Sequence, residues 1–299
     1  MTNLYSHRDS NIQKTWALMI GFFVFVIGLG YLFGYIYNAP GILYGAVILS
    51  FAMNVIAYWF SDKIALATSG ARAVTREQNV GLYRIVENLS ITAGLPMPRL
   101  YVIPTAQINA FATGRNPEHA AVAVTEGALA KLDENELQGV LAHELSHVGN
   151  RDILVSTVVV VLAGVISMVS NWFLRFGGLT RRDNDDSRGG GGVLAVIAIV
   201  AVILAPIAAS IIRLAISRKR EFLADASGAL LTRYPEGLAK ALEKIANDQM
   251  PMRTASNATA HLFLANPFKG QSKMSWFTKL FMTHPPIEER VAALRGLEL

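Results

Sequence analysis

The 299-residue sequence contains no cysteine. That absence excludes disulfides and every thiolate metal site, so a bound metal has only His, Asp and Glu to hold it. Charge is scarce too: charged residues make up 16% of the chain, where about 25% is usual in soluble domains. No basic run is interleaved with aromatics, which argues against a nucleic-acid partner. The net charge of +5 reads instead as Lys and Arg flanking membrane segments and holding their orientation. Apolar residues are plentiful, at 52% with a mean hydropathy of +0.36, and they are concentrated in blocks.

Four blocks reach the length needed to cross a bilayer, about 20 residues. They run from Trp16 to Tyr37, Gly41 to Phe60, Ile153 to Leu174 and Val193 to Ile216. The first has too long an apolar core for a signal peptide and no clear small-residue cleavage site, so an uncleaved anchor is expected. Only Asn38, Ala39 and Pro40 separate it from the second, which implies a tight helical hairpin. Gly30 and Gly34 form a small-x-x-x-small pair suited to close packing there. Pro206 is expected to kink the fourth block. Arg175 to Gly192, with Arg181, Arg182, Asp183, Asp185, Asp186 and the glycine run 189–192, reads as a solvated loop.

A transporter or channel is the competing class. Such proteins place ionisable groups inside their spans, and the cores of these four hold none: Asn54 and Asn171 are neutral and Arg213 lies near an end. A non-catalytic scaffold is a further alternative. Basic residues set the orientation. Arg8 and Lys14 precede the first span, and Lys63, Arg72 and Arg76 follow the second, which puts the tail and the first polar stretch in the cytoplasm. The second hairpin has basic residues on both sides, so the rule leaves open whether it crosses fully.

In the first polar stretch, Thr75-x-x-Gln78 reads as a capping box opening a helix that ends at Gly94. Arg99 to Ile103 and Ala120 to Val124 are β-rich runs expected to pair. Asp133-x-x-Glu136 then caps a helix that carries His143, Glu144 and His147 in His-Glu-x-x-His spacing. Positions i and i+4 share a helix face, so the two imidazoles can grip one zinc ion, and Glu144 can act as base toward a water on it. An unbroken helix would put His147 about 9 Å from Ile153, at the mouth of the third span. In the last stretch, Pro235 to Asn247 and Pro286 to Leu294 read as helices.

A catalytic zinc usually keeps three protein ligands. If both later spans cross, the chain returns to the side it left, and its first acidic residue there is Glu221. Glu221 is therefore assigned to the metal and Asp225, at i+4, to support of a ligating His. The alternative for Glu221 is a solvated charge paired with Arg218, and for Asp225 a salt bridge or a helix-surface role. Zinc lowers the pKa of bound water toward about 7. Glu144 then takes the proton, and one further donor steadies the oxyanion. His284, Arg218, Arg220 and Tyr234 are candidates for that donor. His261 reads as packing, and His7 and His119 as surface.

Together these residues resemble the HtpX-type membrane zinc metallopeptidases, relatives of the CAAX prenyl proteases. The resemblance rests on Asn109-Ala-Phe-Ala-Thr-Gly114, the His143 to His147 motif with Asn150 and Asp152, Ser217-Arg-Lys-Arg-Glu-Phe-Leu-Ala-Asp225 and Met282-Thr-His-Pro-Pro-Ile-Glu-Glu-Arg290. It covers nearly the whole chain and departs at Leu223, where some relatives carry His. It implies one zinc per chain on His143, His147 and Glu221, with Glu144 catalytic. It also implies a cytoplasm-facing site in a bacterial inner membrane, and a stress-linked quality-control role on damaged membrane proteins. A protease restricted to prenylated peptides is the nearest alternative. Asn109, His284 and Arg218 are carried as candidate substrate or oxyanion contacts, and Phe111 to Thr113 as an edge strand to which a peptide could add.

The expected architecture is mainly α: a multi-pass membrane protein with four hydrophobic helices and a zincin-type metalloprotease domain containing a small β-sheet. Its parts are the tail and two spans (1–60), the first part of the protease domain (61–152), a membrane hairpin (153–216), and the second part with the third ligand (217–299).

Overall fold

The computed structural model describes residues 4–36, 38–159, 161–162, 218–250, 262–264 and 285–297. The expected fourth span, most of the third and the loop joining them lie outside these residues.

Helices α1 (Leu4–Ile36) and α2 (Gly41–Thr68) form an antiparallel hairpin. Among the described residues these are the two helices long and apolar enough to cross a membrane, over Ser10–Leu32 and Gly41–Thr68. The small-residue expectation holds at Gly30, where an added Cβ would lie 2.3 Å from Ala46 Cβ. Nearer the protease side, Trp16 stacks on Tyr58 with ring centroids 6.2 Å apart. Helix α2 does not stop at Phe60. It runs unbroken to Thr68, and Ala65 and Leu66 are buried against the sheet.

Among the described residues the sheet has strands β1 (Arg72–Ala73), β2 (Arg99–Ile103), β3 (Ala110–Thr113) and β4 (Ala121–Thr125), in the order β1-β2-β4-β3. The β-rich runs read from sequence do pair, and they pair in parallel, with β3 antiparallel at the far side of β4. Strand side chains alternate between faces. Val122 and Val124 join the core formed by α3 (Val80–Ala93) and α5 (Glu134–Gly149), while Ala121 and Ala123 pack with Ala65, Leu66, Phe111 and Phe263. Burial on both faces explains why β4 is a continuous apolar run.

The Thr75–Gln78 pair closes a turn rather than opening a helix. Gln78 Oε1 accepts from Thr75 N–H at 2.9 Å, but the helix starts at Val80, where Asn79 Oδ1 accepts from Leu82 N–H at 3.0 Å. Asn79 is itself a strong capping residue placed directly before the apolar repeat. Gly94 ends α3 with φ 64°, as expected. Further helices among the described residues include α4 (Glu126–Lys131), α6 (Arg218–Thr232), α7 (Pro235–Asn247) and α8 (Ile287–Arg295). Helix α5 lies at the centre and packs against α3, β3, α6 and α7.

Candidate metal centre

The Asp133–Glu136 capping box forms in both directions and fixes the start of α5. Two and three turns on, His143 and His147 emerge on one face with their Nε2 atoms 3.1 Å apart. The helix then breaks, contrary to the expectation of an unbroken run into Ile153. Asn150 ends α5 and Arg151 takes a left-handed φ of 56°. That turn swings Asp152 back toward α5, so that its Oδ2 sits 3.2 Å from His147 Nδ1.

Helix α6 crosses α5 at Gly228. A Cβ there would lie 2.9 Å from the His143 backbone nitrogen, so the absence of a side chain sets how closely the helices approach. Seven and three residues earlier, Glu221 and Asp225 reach the histidines. Glu221 Oε1 is 3.7 Å from His147 Nε2, and its Oε2 is 3.9 Å from His143 Nε2. Asp225 Oδ1 is 2.9 Å from His143 Nδ1. Each ring therefore turns Nδ1 to a carboxylate and Nε2 toward the other ring and Glu221. A carboxylate on Nδ1–H fixes that tautomer and leaves the Nε2 lone pair for a metal. Glu221 and Asp225 are both buried, so neither is a solvated surface charge, although Asp225 does form a salt bridge, to Arg290.

The donor set fits a divalent ion. Ligand bonds of 2.0–2.1 Å around a tetrahedral zinc put neighbouring ligand atoms about 3.3 Å apart; here the two Nε2 atoms are 3.1 Å apart, and His147 and His143 Nε2 lie 3.7 and 3.9 Å from the Oε1 and Oε2 atoms of Glu221 respectively. Charge agrees with geometry. The buried carboxylates of Glu144, Asp152, Glu221 and Asp225 face the buried guanidinium groups of Arg220 and Arg290. Counted over these described residues, with neutral imidazoles and all four carboxyls ionised, two negative charges remain, as many as one divalent cation carries. His147 feels the surplus. Burial opposes its charging, but the bond to Asp152 and the carboxylates of Glu221, Asp152 and Glu144 outweigh it and push its pKa up to about 9.

Glu144 is buried beside this set. Burial is the largest influence on its carboxyl and pushes the pKa up. The two imidazoles and a hydrogen bond from the Ala112 backbone N–H pull it down, Glu221 adds to the rise, and the net shift is upward. The Ala112 contact ties the site to β3. Strand β3 is an edge strand among the described residues, but it is buried, so the exposed edge that peptide addition would need is not found there, and Ala110 O already accepts from Leu264 N–H at 3.1 Å.

Sequence reasoning gave no role to Arg290 or Asp152, and offered Arg220 only as a donor to the oxyanion. Arg290, fully buried, donates from Nε and Nη2 to the two oxygens of Asp225 at 2.8 and 2.6 Å, and its Nη1 is 3.6 Å from Glu221 Oε2. Arg220 Nη1 is 3.5 Å from Asp152 Oδ1. Arg290 and Asp152 both stood in quoted motifs, but nothing in the spacing says that an arginine from the last helix will reach α6.

The other candidates are placed as follows. Arg218 is exposed on the first turn of α6 and Tyr234 is half exposed before α7. Asn109 is buried next to β3, bonding Gln107 Oε1 and accepting from Ala110 N–H. His119 is on the surface. His261 and His284 lie outside the described residues, as does the side chain of His7.

Residues 76–298 match the model of peptidase family M48. The "Protease HtpX homolog" of Caldanaerobacter subterraneus is 46% identical across 99% of this chain and 98% of its own. That of Syntrophobacter fumaroxidans is 48% identical across 95% and 98%. The chain is an HtpX-type member of peptidase family M48. The "Protease HtpX homolog" of Desulforapulum autotrophicum is 52% identical across 84% of this chain and 79% of its own. The crystal structure of S. mikatae Ste24p aligns with a TM-score of 0.49 at 16% identity, covering 98% of this chain and 67% of that one. Membership makes the chain a protease, and the family implies a metal ion, which the cluster of His143, His147 and Glu221 could hold.

The helix crossing gives a direct check on this M48 site. In Gly228→Ala the new methyl meets backbone, which cannot rotate away, so α6 must retreat from His143. Zinc affinity is expected to fall about tenfold or more, read by competition with a chromogenic chelator. Unchanged affinity would mean that the close approach is not needed.

Proposed function

We propose that the protein is a membrane-embedded zinc endopeptidase, with His143, His147 and Glu221 as metal ligands and Glu144 as general base. The observation that carries this reading is the convergence of two Nε2 atoms and one carboxylate, from helices far apart in sequence, next to a buried glutamate. Asp225 and Asp152 orient the two imidazoles, and Arg290 holds Asp225. When bound, zinc would polarise the scissile carbonyl and acidify a water. Glu144 takes the proton of the attacking water as its oxygen bonds to the carbonyl carbon, and returns it to the amine nitrogen as the C–N bond breaks. The raised Glu144 pKa suits both halves of that cycle. Asn109, Arg218 and His284 remain candidate contacts for the substrate carbonyl.

We place the chain in a bacterial inner membrane with four spans, the two described and the hairpin within 153–216, and with the two protease parts, 61–152 and 217–299, meeting on the cytoplasmic side. Damaged membrane proteins are the proposed substrates. Support comes from the apolar helices, the basic residues beside them and the HtpX relatives.

Metal analysis tests the ligand set. Wild-type protein is expected to hold about one zinc, and Glu221→Ala and His147→Ala to lose most of it. Binding should also weaken with acid, because a ligating imidazole must give up its proton. Between pH 6.5 and about 9, zinc affinity is expected to rise by up to about tenfold per pH unit as the His147 proton becomes easier to displace. Full zinc occupancy in both variants, or affinity flat across that range, would defeat the ligand assignment.

A further inference from the structure

Asn11 is buried in the first turn of the apolar stretch of α1, and the partners of its side chain lie 139 and 141 residues away in sequence. Its Nδ2 donates to Asp152 Oδ1 at 2.6 Å and to Asn150 O at 3.2 Å. One turn on, the buried Thr15 hydroxyl donates to Asn11 O at 3.0 Å. A carboxamide at the mouth of an apolar helix is costly to bury unless it is paired, and here it is paired with the turn that follows the metal-ligand helix.

The Asp152 carboxylate is thereby held at both ends. Oδ2 faces His147 Nδ1 at 3.2 Å. Oδ1 faces Asn11 at 2.6 Å and, less closely, Arg220 Nη1 at 3.5 Å. A carboxylate turns readily about its own bond to the chain. Fixing Oδ1 fixes the plane in which Oδ2 meets the imidazole, and so the direction of the His147 Nε2 lone pair. Asn11 makes the shorter of the two contacts to Oδ1.

We infer that Asn11 is a positioning residue of the metal centre: acting through Asp152 it sets the orientation of His147, which makes the first apolar helix a structural part of the site. This rests on the zinc reading above. It gives α1 a task beyond anchoring, because any shift of α1 relative to α5 is passed to a metal ligand through two side chains.

The test uses the full chain in detergent micelles, with zinc alone as the probe in chelator competition and thermal unfolding of the same samples. Asn11→Leu keeps the volume and removes the donor. It is expected to bind zinc about tenfold more weakly, and to lower kcat with KM unchanged. Asp152→Ala is expected to lose at least as much, and Asn11→Leu added to Asp152→Ala to lose nothing further, because the intermediary is already gone. Wild-type affinity in Asn11→Leu overturns the inference. So does a full additive loss in the double variant, which would mean that Asn11 acts through the seat of α1 alone. Should Asn11→Leu and Asn11→Ala both fail to fold, the residue is structural and the inference falls as well. His147→Ala separates the two readings: if it keeps wild-type zinc affinity, the zinc assignment itself has failed.

Discussion

Glu144→Gln is expected to lower peptide hydrolysis by about 10²–10⁴-fold while zinc content stays that of the wild type. Gln keeps the shape of the side chain and can still meet the Ala112 backbone, but it cannot accept and return a proton. The ligands are untouched, since Glu144 stands beside the set and not in it. Stability should not fall. Glu144 is buried and near Glu221, and both effects raise its pKa. A carboxyl whose folded pKa lies above its unfolded value weakens the fold at pH values above that range, where it must ionise in place. Removing the charge relieves this, so Glu144→Gln is expected to melt at or above the wild-type temperature. Activity against an unfolded protein substrate, metal analysis and calorimetry on one preparation check all three. Substantial residual hydrolysis would remove Glu144 from the chemistry, and loss of zinc would make its role structural.

The second large effect is expected at Arg290. Arg290→Met keeps much of the stem and removes the only guanidinium that forks onto Asp225 among the described residues. Asp225 then stays buried with no fork to hold it, and Glu221 loses a neighbouring positive charge. Breaking a buried ion pair from one side costs about 3–5 kcal/mol. In the wild type, burial works against the Asp225 charge, but Arg290 and His143 prevail and hold its pKa down. Its contribution to stability is therefore present above the ordinary carboxylate range and is lost as pH falls through the lowered pKa. In Arg290→Met that contribution disappears, and the melting temperature should drop most at neutral pH and least in acid. Arg290→Lys should recover only part, since an ammonium cannot make both bonds. Equal melting of Arg290→Met and wild type at neutral pH would show that another group neutralises Asp225.

Much of the site was legible because its signals are local. The i, i+4 spacing of His143 and His147, the capping box at Asp133 and Glu136, and Glu221 with Asp225 on one helix face each need only a few neighbouring residues. The ends of α3 and α7 were readable for the same reason, Gly94 and Pro235 being position-specific. What failed was non-local or depended on choosing between adjacent signals. Thr75 and Asn79 both look like caps, and only packing decides between them. The break at Arg151 follows Gly149 and Asn150, ordinary helix-end residues that were passed over for the apolar run beyond them. Helix α4 is too short to show a period. Arg290, Asp152 and Asn11 act across the fold, and a lone sequence holds no trace of which carboxylate a distant arginine or asparagine will meet.

Helix α2 is one rod of 28 residues, about 42 Å long at 1.5 Å per residue. Its apolar end and its sheet-bound end cannot move independently, since no hinge separates Phe60 from the buried Ala65 and Leu66. If α2 spans a bilayer, a thinner or thicker one would be met by leaning, and α2 would carry the sheet packed on Ala65 and Leu66 through the same angle.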